Sequence, residues 1–126
     1  MPPRDLAGIL SDVIDAARYI AGHRDRTTEA AFLADTDLQA IFERKFEILG
    51  EALGLLRKKH ASVFSRIRHA KPAVDLRNVI SHGYDSVDHA LLWDIATRWL
   101  PEVLEDAELE FARLASGGGD SGPTAS

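Results

Sequence analysis

Apolar residues recur at helical spacing along most of the chain, and this pattern predicts an all-α protein. Residues 4–23 place apolar side chains three and four positions apart, on one face of a helix: Leu6, Ile9, Leu10, Val13, Ile14, Ala17 and Ile20. A second long helix is predicted over 37–59, because Thr36 and Gln39 resemble a capping box and RKKH supplies cations at its end. Its predicted apolar side comprises Leu38, Ile41, Phe42, Leu49, Leu53 and Leu56. The intervening segment HRDRTTEAAFLAD is polar and predicts only a short turn of helix.

The same spacing continues through the second half of the chain. Residues 61–69 predict a short helix or turn, and Pro72 suits the first position of a helix that should end near Gly83. From Val87 onward a last helix is predicted, which Pro101 should kink or restart. Its apolar positions are Leu91, Leu92, Ile95, Trp99, Val103, Leu104, Phe111 and Leu114.

These elements predict a single domain. We find no internal repeat and no second domain, so residues 1–115 are expected to form one helical bundle. Residues 116–126, SGGGDSGPTAS, are too poor in apolar groups to order and predict a flexible tail. The N-terminus does not resemble a signal peptide and no apolar run is long enough to cross a membrane, so a cytoplasmic protein is expected.

Composition and charge narrow the possible chemistry. The chain has no cysteine, which excludes disulfides, thiolate nucleophiles and cysteine-ligated zinc. Its net charge of −5 argues against a protein that holds nucleic acid mainly by neutralising phosphates over its whole surface. A catalyst with a local basic pocket remains compatible with that charge.

A cluster of polar side chains stands out in DLRNVISHGYDSVD, residues 75–88. On a helix, Asn78 and His82 lie one turn apart on the same face as Arg77, and Tyr84 lies nearly two turns beyond Arg77. An imidazole can exchange protons near neutral pH, a guanidinium grips phosphate in a fork, and an amide can orient either group. The set suits phosphodiester chemistry, although a lone helical histidine with Arg and Asn nearby is also typical of an ordinary solvated helix end.

Apolar residues alternate with this cluster. Leu76, Val79 and Ile80 are expected to point into the bundle and leave the polar side chains on one wet face.

The motif R-N-x-x-x-H-x-Y, made here by Arg77, Asn78, His82 and Tyr84, resembles the signature of the HepT-like toxins of the HEPN superfamily. FEILGEALGLL, residues 46–56, is similar to that family's long helix, and LLWDIATRWLPEVL resembles its last helix. The chain departs from the family at Ala73, where an aromatic residue usually follows the proline.

The resemblance implies a HEPN-type helical bundle that forms a homodimer, with two motifs facing each other across the twofold axis. It also implies a metal-independent ribonuclease, without a cofactor, that acts as the toxin of a bacterial toxin–antitoxin pair. RNA carries its own nucleophile, the 2′-OH, so a proton acceptor and a cation for the phosphorane suffice. His82 is then the general base or acid, Arg77 binds the phosphate and Asn78 orients either of them.

The resemblance gives Tyr84 a separate role. The matching tyrosine in the family receives AMP from a cognate MntA-like minimal nucleotidyltransferase, and AMP on Tyr84 would compete with RNA phosphate for Arg77. A second function remains open, in which the chain is a non-catalytic helical adaptor that binds a nucleotidyltransferase.

Several other residues have side chains that could bind a metal ion or RNA. His23, His60, His69 and His89 lack the spacing of a metal pair, and the basic stretch RKKHASVFSRIRH is more typical of a solvated face than of an RNA-contacting rim. Glu47 and Glu51 lie one turn apart, but no matching histidine supports a metal site, so Glu51 is expected to act in the bundle or to order the site. Gly50 and Gly54 predict close approach of another helix.

Overall fold

Helices and the turns between them make up the part of the chain that the structure describes, residues 2–82 and 87–116. The structure is a computed structural model. Its helices in chain order are α1 (Pro2–Asp25), α2 (Glu29–Leu33), α3 (Thr36–Lys59), α4 (Ala61–Phe64), α5 (Ala70–Ser81), α6 (His89–Arg98) and α7 (Leu100–Ala115). These ranges contain no strand, which confirms the predicted all-α bundle.

Helix α3 is the centre of the bundle. It packs against α1 on one side and α5 on another, and α7 lies along α1. The buried side chains that join these helices include Leu10, Val13, Ile20, Phe42, Phe46, Leu49, Leu53, Leu56, Leu100 and Val103. Helical spacing therefore identified most of the core correctly.

Three residues predicted to lie on apolar faces are exposed. Ile41 is 37% exposed, Leu91 48% and Phe111 38%. Ile41 lies at the edge of the apolar face, because its side chain points about 100° away from that of the next residue, the buried Phe42. Leu91 and Phe111 are likewise each one residue away from a buried neighbour, Leu92 and Glu110.

The polar segment before α3 hides a core residue. Phe32 is fully buried in α2, with its ring 4.6 Å from that of Phe42 and 5.4 Å from that of Trp93. The Thr28 side chain caps α2 by accepting a hydrogen bond from the backbone N–H of Ala31. Burial of Phe32 thus holds this segment against the bundle, although its mainly polar composition predicted only a short turn of helix.

The predicted capping box at the start of α3 is wrong. Asp35 is the N-cap, and its carboxylate accepts a hydrogen bond of 3.0 Å from the backbone N–H of Leu38. The Gln39 amide is buried and donates instead to the carbonyl oxygens of Phe32 and Leu33. Gln39 therefore ties α3 to α2, which a capping residue would not do.

The connection between α3 and α5 combines the two predicted possibilities, a short helix and turns. Only Ala61–Phe64 of the predicted 61–69 segment is helical, and turns lead to His69, which has a left-handed φ of 66°. Helix α5 begins at Ala70, so Pro72 occupies the third helical position instead of the first. Proline is tolerated there because the first N–H groups of a helix have no intrahelical partner.

The C-terminal half follows the prediction more closely. Helix α5 ends at Ser81 with His82 as its C-cap. The predicted last helix is interrupted at Trp99, and α7 follows with Pro101 in its first turn. The predicted end signal Gly83 lies outside the described residues, as do residues 117–126 of the predicted tail. No helix in the described ranges is long and apolar enough to cross a membrane.

Candidate active site

The site is built where α5 crosses α3 at Gly50. A Cβ placed on Gly50 would stand 2.2 Å from the Cβ of Arg77 and 2.9 Å from the carbonyl oxygen of Ala73. Only glycine allows the two backbones to come this close. The expected close approach is therefore confirmed at Gly50, whereas at Gly54 a Cβ would meet Val74 at an ordinary 3.9 Å.

This contact brings Arg77 against a carboxylate of α3. Arg77 Nη2 donates to Glu51 Oε2 at 3.1 Å, and Nη1 donates to Asn78 Oδ1 at 3.2 Å. The Arg77 side chain is 32% exposed, and its Nε is buried without a hydrogen-bond partner among the described residues. Each terminal nitrogen carries two N–H groups, so each keeps one donor for a ligand. Of the two roles predicted for Glu51, this hydrogen bond fits the second, in which Glu51 orders the site.

Asn78 links Arg77 to His82. The carbonyl oxygen of Asn78 accepts both the backbone N–H of His82, at 3.1 Å, and the ring Nδ1, at 2.8 Å. Because a carbonyl oxygen can only accept, this geometry places the ring proton on Nδ1. In the neutral ring, Nε2 then has the unshared electron pair and can take a proton from a substrate.

A second pair of hydrogen bonds fixes the end of α5. Ser81 Oγ donates to Glu47 Oε2 at 2.7 Å, and Arg44 Nη1 donates to Glu47 Oε1 at 3.2 Å. The hydrogen bond from Ser81 is the main influence that lowers the pKa of Glu47, and Arg44 adds to it. The charged carboxylate is thereby favoured, and its hydrogen bond with Ser81 holds the last turn of α5 on α3.

A pocket of about 270 Å³ opens beside Arg77 between α3 and α5. Its lining residues are Gly50, Glu51, Gly54, Leu55, Lys58, Val74, Arg77 and Asn78. The sequence indicates Lys58 as a cation at the end of a helix and as part of the basic stretch RKKHASVFSRIRH, for which a solvated face is the favoured prediction. The signal that could have identified it is its position four residues after Gly54 and eight after Gly50, on the same row of α3.

The structure brings three of the four residues of the sequence motif together. Arg77, Asn78 and His82 form one connected group, with Asn78 and His82 exposed and Arg77 partly buried. Tyr84, the fourth residue, lies outside the described residues.

The apolar residues of the motif helix do not all face inward. Leu76 is buried and Ile80 is partly buried against the core, as predicted, but Val79 is 62% exposed, so its predicted inward position is wrong. The reason is geometric, since Val79 follows Asn78 on the helix and turns with it away from α3.

Two of the other histidines, His69 and His89, have structural partners. His69 Nε2 lies 2.6 Å from Glu102, and its ring stacks on Trp99 at 5.2 Å between centroids. His89 Nε2 lies 2.5 Å from Glu43. Among the described residues, no group of three or more His, Cys, Asp and Glu side chains is arranged to hold a metal ion.

Most of the basic stretch RKKHASVFSRIRH is occupied by contacts within the fold. Arg66 forms two hydrogen bonds with the buried Glu110, and Arg68 pairs with acidic residues of α7, of which Asp106 is the most buried. The Arg57 guanidinium lies over the Phe64 ring. These arginines stabilise the bundle, so they do not form the RNA-contacting rim that the stretch could have supplied.

The chain is similar in sequence to known proteins over most of its length. The chain is 26% identical over 109 residues to "Putative RNase MJ1380" of Methanocaldococcus jannaschii, an alignment that covers 86% of this chain and 99% of that protein. It is 25% identical over 108 residues to "Putative RNase MJ0127" of the same organism, covering 86% of this chain and 88% of the relative. No solved structure gives a significant match. Residues 13–109 match the family described as "Ribonuclease HepT-like", and the chain belongs to that family.

Proposed function

We propose that this protein is a metal-independent endoribonuclease that acts as the toxin of a bacterial toxin–antitoxin pair. The observation that carries the catalytic part is the hydrogen bond from His82 Nδ1 to the Asn78 carbonyl oxygen, because it leaves Nε2 as the proton acceptor. Family membership and the names of the relatives support RNA as the substrate.

The three motif residues divide the reaction between them. His82 Nε2 takes the proton of the RNA 2′-OH, and the 2′-oxygen attacks the neighbouring phosphorus. The two unused N–H groups on the Arg77 terminal nitrogens bind the phosphate oxygens as negative charge develops. The 5′-oxygen then leaves and takes a proton from a second acid, for which a dimer supplies another His82. Asn78 holds Arg77 through its side chain and His82 through its backbone.

Substitution of His82 tests the catalytic assignment. His82→Ala should abolish cleavage of RNA in the presence of a metal chelator, while far-UV circular dichroism stays unchanged, because the exposed ring contributes little to stability. His23→Ala is the matched control, since it removes an imidazole from the last turn of α1, away from the motif.

Two results would contradict the assignment. Cleavage that survives His82→Ala would remove this residue from the mechanism. Cleavage by the unaltered protein only when divalent metal is added would contradict metal independence. The products give an independent check, since attack by the 2′-OH leaves a 2′,3′-cyclic phosphate that mass spectrometry identifies.

We also propose that the active form is a homodimer. Asn78 and His82 are exposed on one helix, which gives a shallow surface, whereas two such helices related by a dyad form a cleft. Val79, between these polar residues in sequence, is 62% exposed and offers apolar surface at the same place. Two copies of Arg77 would also concentrate positive charge locally on a protein whose net charge is −5.

A charge introduced at Val79 tests the dimer. Val79→Asp should produce a folded monomer with little or no RNA cleavage, as judged by light scattering and circular dichroism. Leu109→Asp is a matched control, because Leu109 is similarly exposed, at 56%, but lies on α7. A strictly monomeric unaltered protein at micromolar concentration would refute the proposed assembly.

Regulation by AMPylation of Tyr84 completes the proposed function. Tyr84 matches the modified tyrosine of the family motif, and two residues of chain span at most about 7 Å, which keeps it close to His82. An AMP group would bring a phosphate and an adenosine to the place where RNA phosphate meets Arg77.

Coexpression with the cognate nucleotidyltransferase, ATP and Mg²⁺ tests this regulation. Mass spectrometry should find AMP on the peptide that contains Tyr84, and Tyr84→Phe should remain toxic and escape neutralisation. If the transferase neutralises Tyr84→Phe, and a catalytically dead transferase does so equally well, then binding alone controls the protein. That outcome would favour the adaptor-type function.

A further inference from the structure

We propose that the pocket between α3 and α5 is a subsite for the nucleotide next to the cleaved phosphodiester, with Lys58 binding its phosphate. This inference rests on the proposed ribonuclease function and extends it to a part of the substrate that does not react. Arg77 and Asn78 form one end of the pocket and Lys58 is part of its wall, so a chain whose phosphate meets Arg77 has a direct path to Lys58.

The row Gly50, Gly54 and Lys58 forms the α3 side of this path. Lys58 lies eight residues after Gly50, or about 12 Å along the helix axis at 1.5 Å per residue. Side chains on a helix lean toward its N-terminus, which brings the Lys58 ammonium group back toward Arg77. At Gly50 this absence of a side chain lets α5 approach α3, whereas at Gly54 the only atom near the Cβ position belongs to Val74, at 3.9 Å, so Gly54 leaves the pocket open between the two cations.

Lys58 is available to a ligand. It is exposed, and no carboxylate in the described part of the chain pairs with it, in contrast to Arg66 and Arg68 nearby in sequence. The carboxylate that also lines the pocket, Glu51, is already paired with Arg77. The cation at the far end of the pocket is therefore the group that can attract an additional phosphate.

The size and lining of the pocket indicate what it holds. A volume of about 270 Å³ is slightly below the range of about 300–1,000 Å³ for ligand pockets and suits one nucleotide unit better than two. Leu55 and Val74 give apolar contact for a ribose, and none of the described lining residues is aromatic, so no ring is present to stack on a base. The subsite should hold RNA by its backbone without reading sequence.

Counterion release sets the expected size of the effect. One phosphate contact on a single strand contributes about 0.7 to the slope of log affinity against log salt concentration, which corresponds to about fivefold in affinity at 0.1 M relative to 1 M salt. Lys58→Ala should therefore weaken binding about fivefold near 0.1 M salt and reduce the slope by about 0.7.

The binding experiment uses the His82→Ala protein, so that RNA is bound without being cut. Its affinity for a short random-sequence RNA with a fluorescent 5′ label is measured by anisotropy at several salt concentrations, with and without Lys58→Ala. Lys59→Ala is the matched control, because it removes the same charge from the same helix end but lines a different pocket, formed mainly by residues of α1. The subsite predicts a loss with Lys58→Ala that Lys59→Ala does not produce.

Gly54→Leu supplies a second, independent variant. A Cβ at this position meets only Val74 at 3.9 Å, so a side chain can start there without a clash, and the rest of the leucine side chain would narrow the pocket. We expect a similar loss of affinity in protein whose far-UV circular dichroism shows that it is folded. In otherwise unaltered protein, Lys58→Ala should raise KM for RNA cleavage and leave kcat nearly unchanged, since Lys58 does not touch the reacting atoms.

Several outcomes would overturn the subsite. Equal losses with Lys58→Ala and Lys59→Ala would indicate only a general effect of charge. Unchanged affinity with Lys58→Ala, or with folded Gly54→Leu, would show that the pocket does not hold RNA. If the unaltered protein still cuts RNA and His82→Ala does not, these results reject the subsite and leave the proposed function intact. Absence of both RNA binding and cleavage would reject both proposals.

Discussion

Replacement of Gly50 by alanine should disturb stability and activity together. The new methyl group would stand 2.2 Å from Arg77 Cβ and 2.9 Å from both Arg77 Cγ and the Ala73 carbonyl oxygen. Carbon atoms in contact normally lie about 3.5–4.0 Å apart, so α5 must move away from α3 by more than about 1 Å. A change of rotamer could relieve the contact with Cγ but not those with Arg77 Cβ and the Ala73 carbonyl oxygen, because these two atoms are fixed by the backbone.

Two opposing terms set the magnitude. Overpacking of this kind costs about 1–3 kcal/mol, whereas alanine is favoured over glycine inside a helix by about 1 kcal/mol. Gly54→Ala has the same helical gain without the clash, because its Cβ meets Val74 at 3.9 Å. The two variants should therefore differ by about 1–3 kcal/mol in the free energy of unfolding, with Gly50→Ala the less stable.

Urea denaturation followed by circular dichroism measures this difference, and RNA cleavage by both variants measures the second consequence. Separation of the helices moves Arg77 away from Glu51, so Gly50→Ala should lose activity beyond any loss from unfolding. Equal stability of the two variants would refute the reasoning. Full activity of Gly50→Ala would show that the helix contact does not position Arg77.

Three further substitutions test other parts of the structure. Asp35→Ala should lower the free energy of unfolding by about 1 kcal/mol, whereas Thr36→Ala should change it little, because Asp35 caps α3; urea denaturation compares them. Asp106 accepts hydrogen bonds from Arg68, which lower the pKa of its carboxyl group. Its contribution to the free energy of unfolding is therefore present above the unfolded pKa of about 4 and is lost as the pH falls through the lower pKa of the folded state. Asp106→Asn should therefore destabilise the protein at neutral pH, and melting curves should show that the difference shrinks as the pH falls below about 4. Arg77→Ala keeps the Cβ that packs on Gly50 and removes a buried nitrogen without a described partner, so it should abolish cleavage without lowering the melting temperature.

Helix positions were predictable because they depend on local spacing. Apolar residues three and four apart identified the buried faces of α1 and α3, and Pro101 marked the break between α6 and α7. The cap of α3 was not predictable in the same way. Asp35 and Thr36 are both good cap residues, and the choice depends on where the backbone leaves the extended conformation, which the packing of Phe32 and Gln39 decides.

The residues of the candidate site could be proposed from the sequence, but the hydrogen bonds that join them could not. Sequence spacing placed Arg77, Asn78 and His82 together, but it gave no means of knowing that the Asn78 backbone, and not only its side chain, orients His82. It also assigned Val79 to the core, since periodicity shows which residues share a face and not which faces find a partner. For the same reason, the sequence did not single out Lys58, because its proposed role in binding phosphate depends on α5 lying beside α3.

The geometry at Gly50 makes the fold and the site inseparable. Arg77 contributes its Cβ to the α3–α5 contact and its terminal nitrogens to the site, so the packing that holds the bundle also aims the guanidinium. A buried Nε without a described partner costs stability, which a purely structural residue such as leucine would avoid. The contact can be met by any residue with a Cβ, but hydrogen bonds to both Glu51 and Asn78 require the guanidinium fork. The arginine at this position is therefore better explained by what its terminal nitrogens bind than by the packing beneath them.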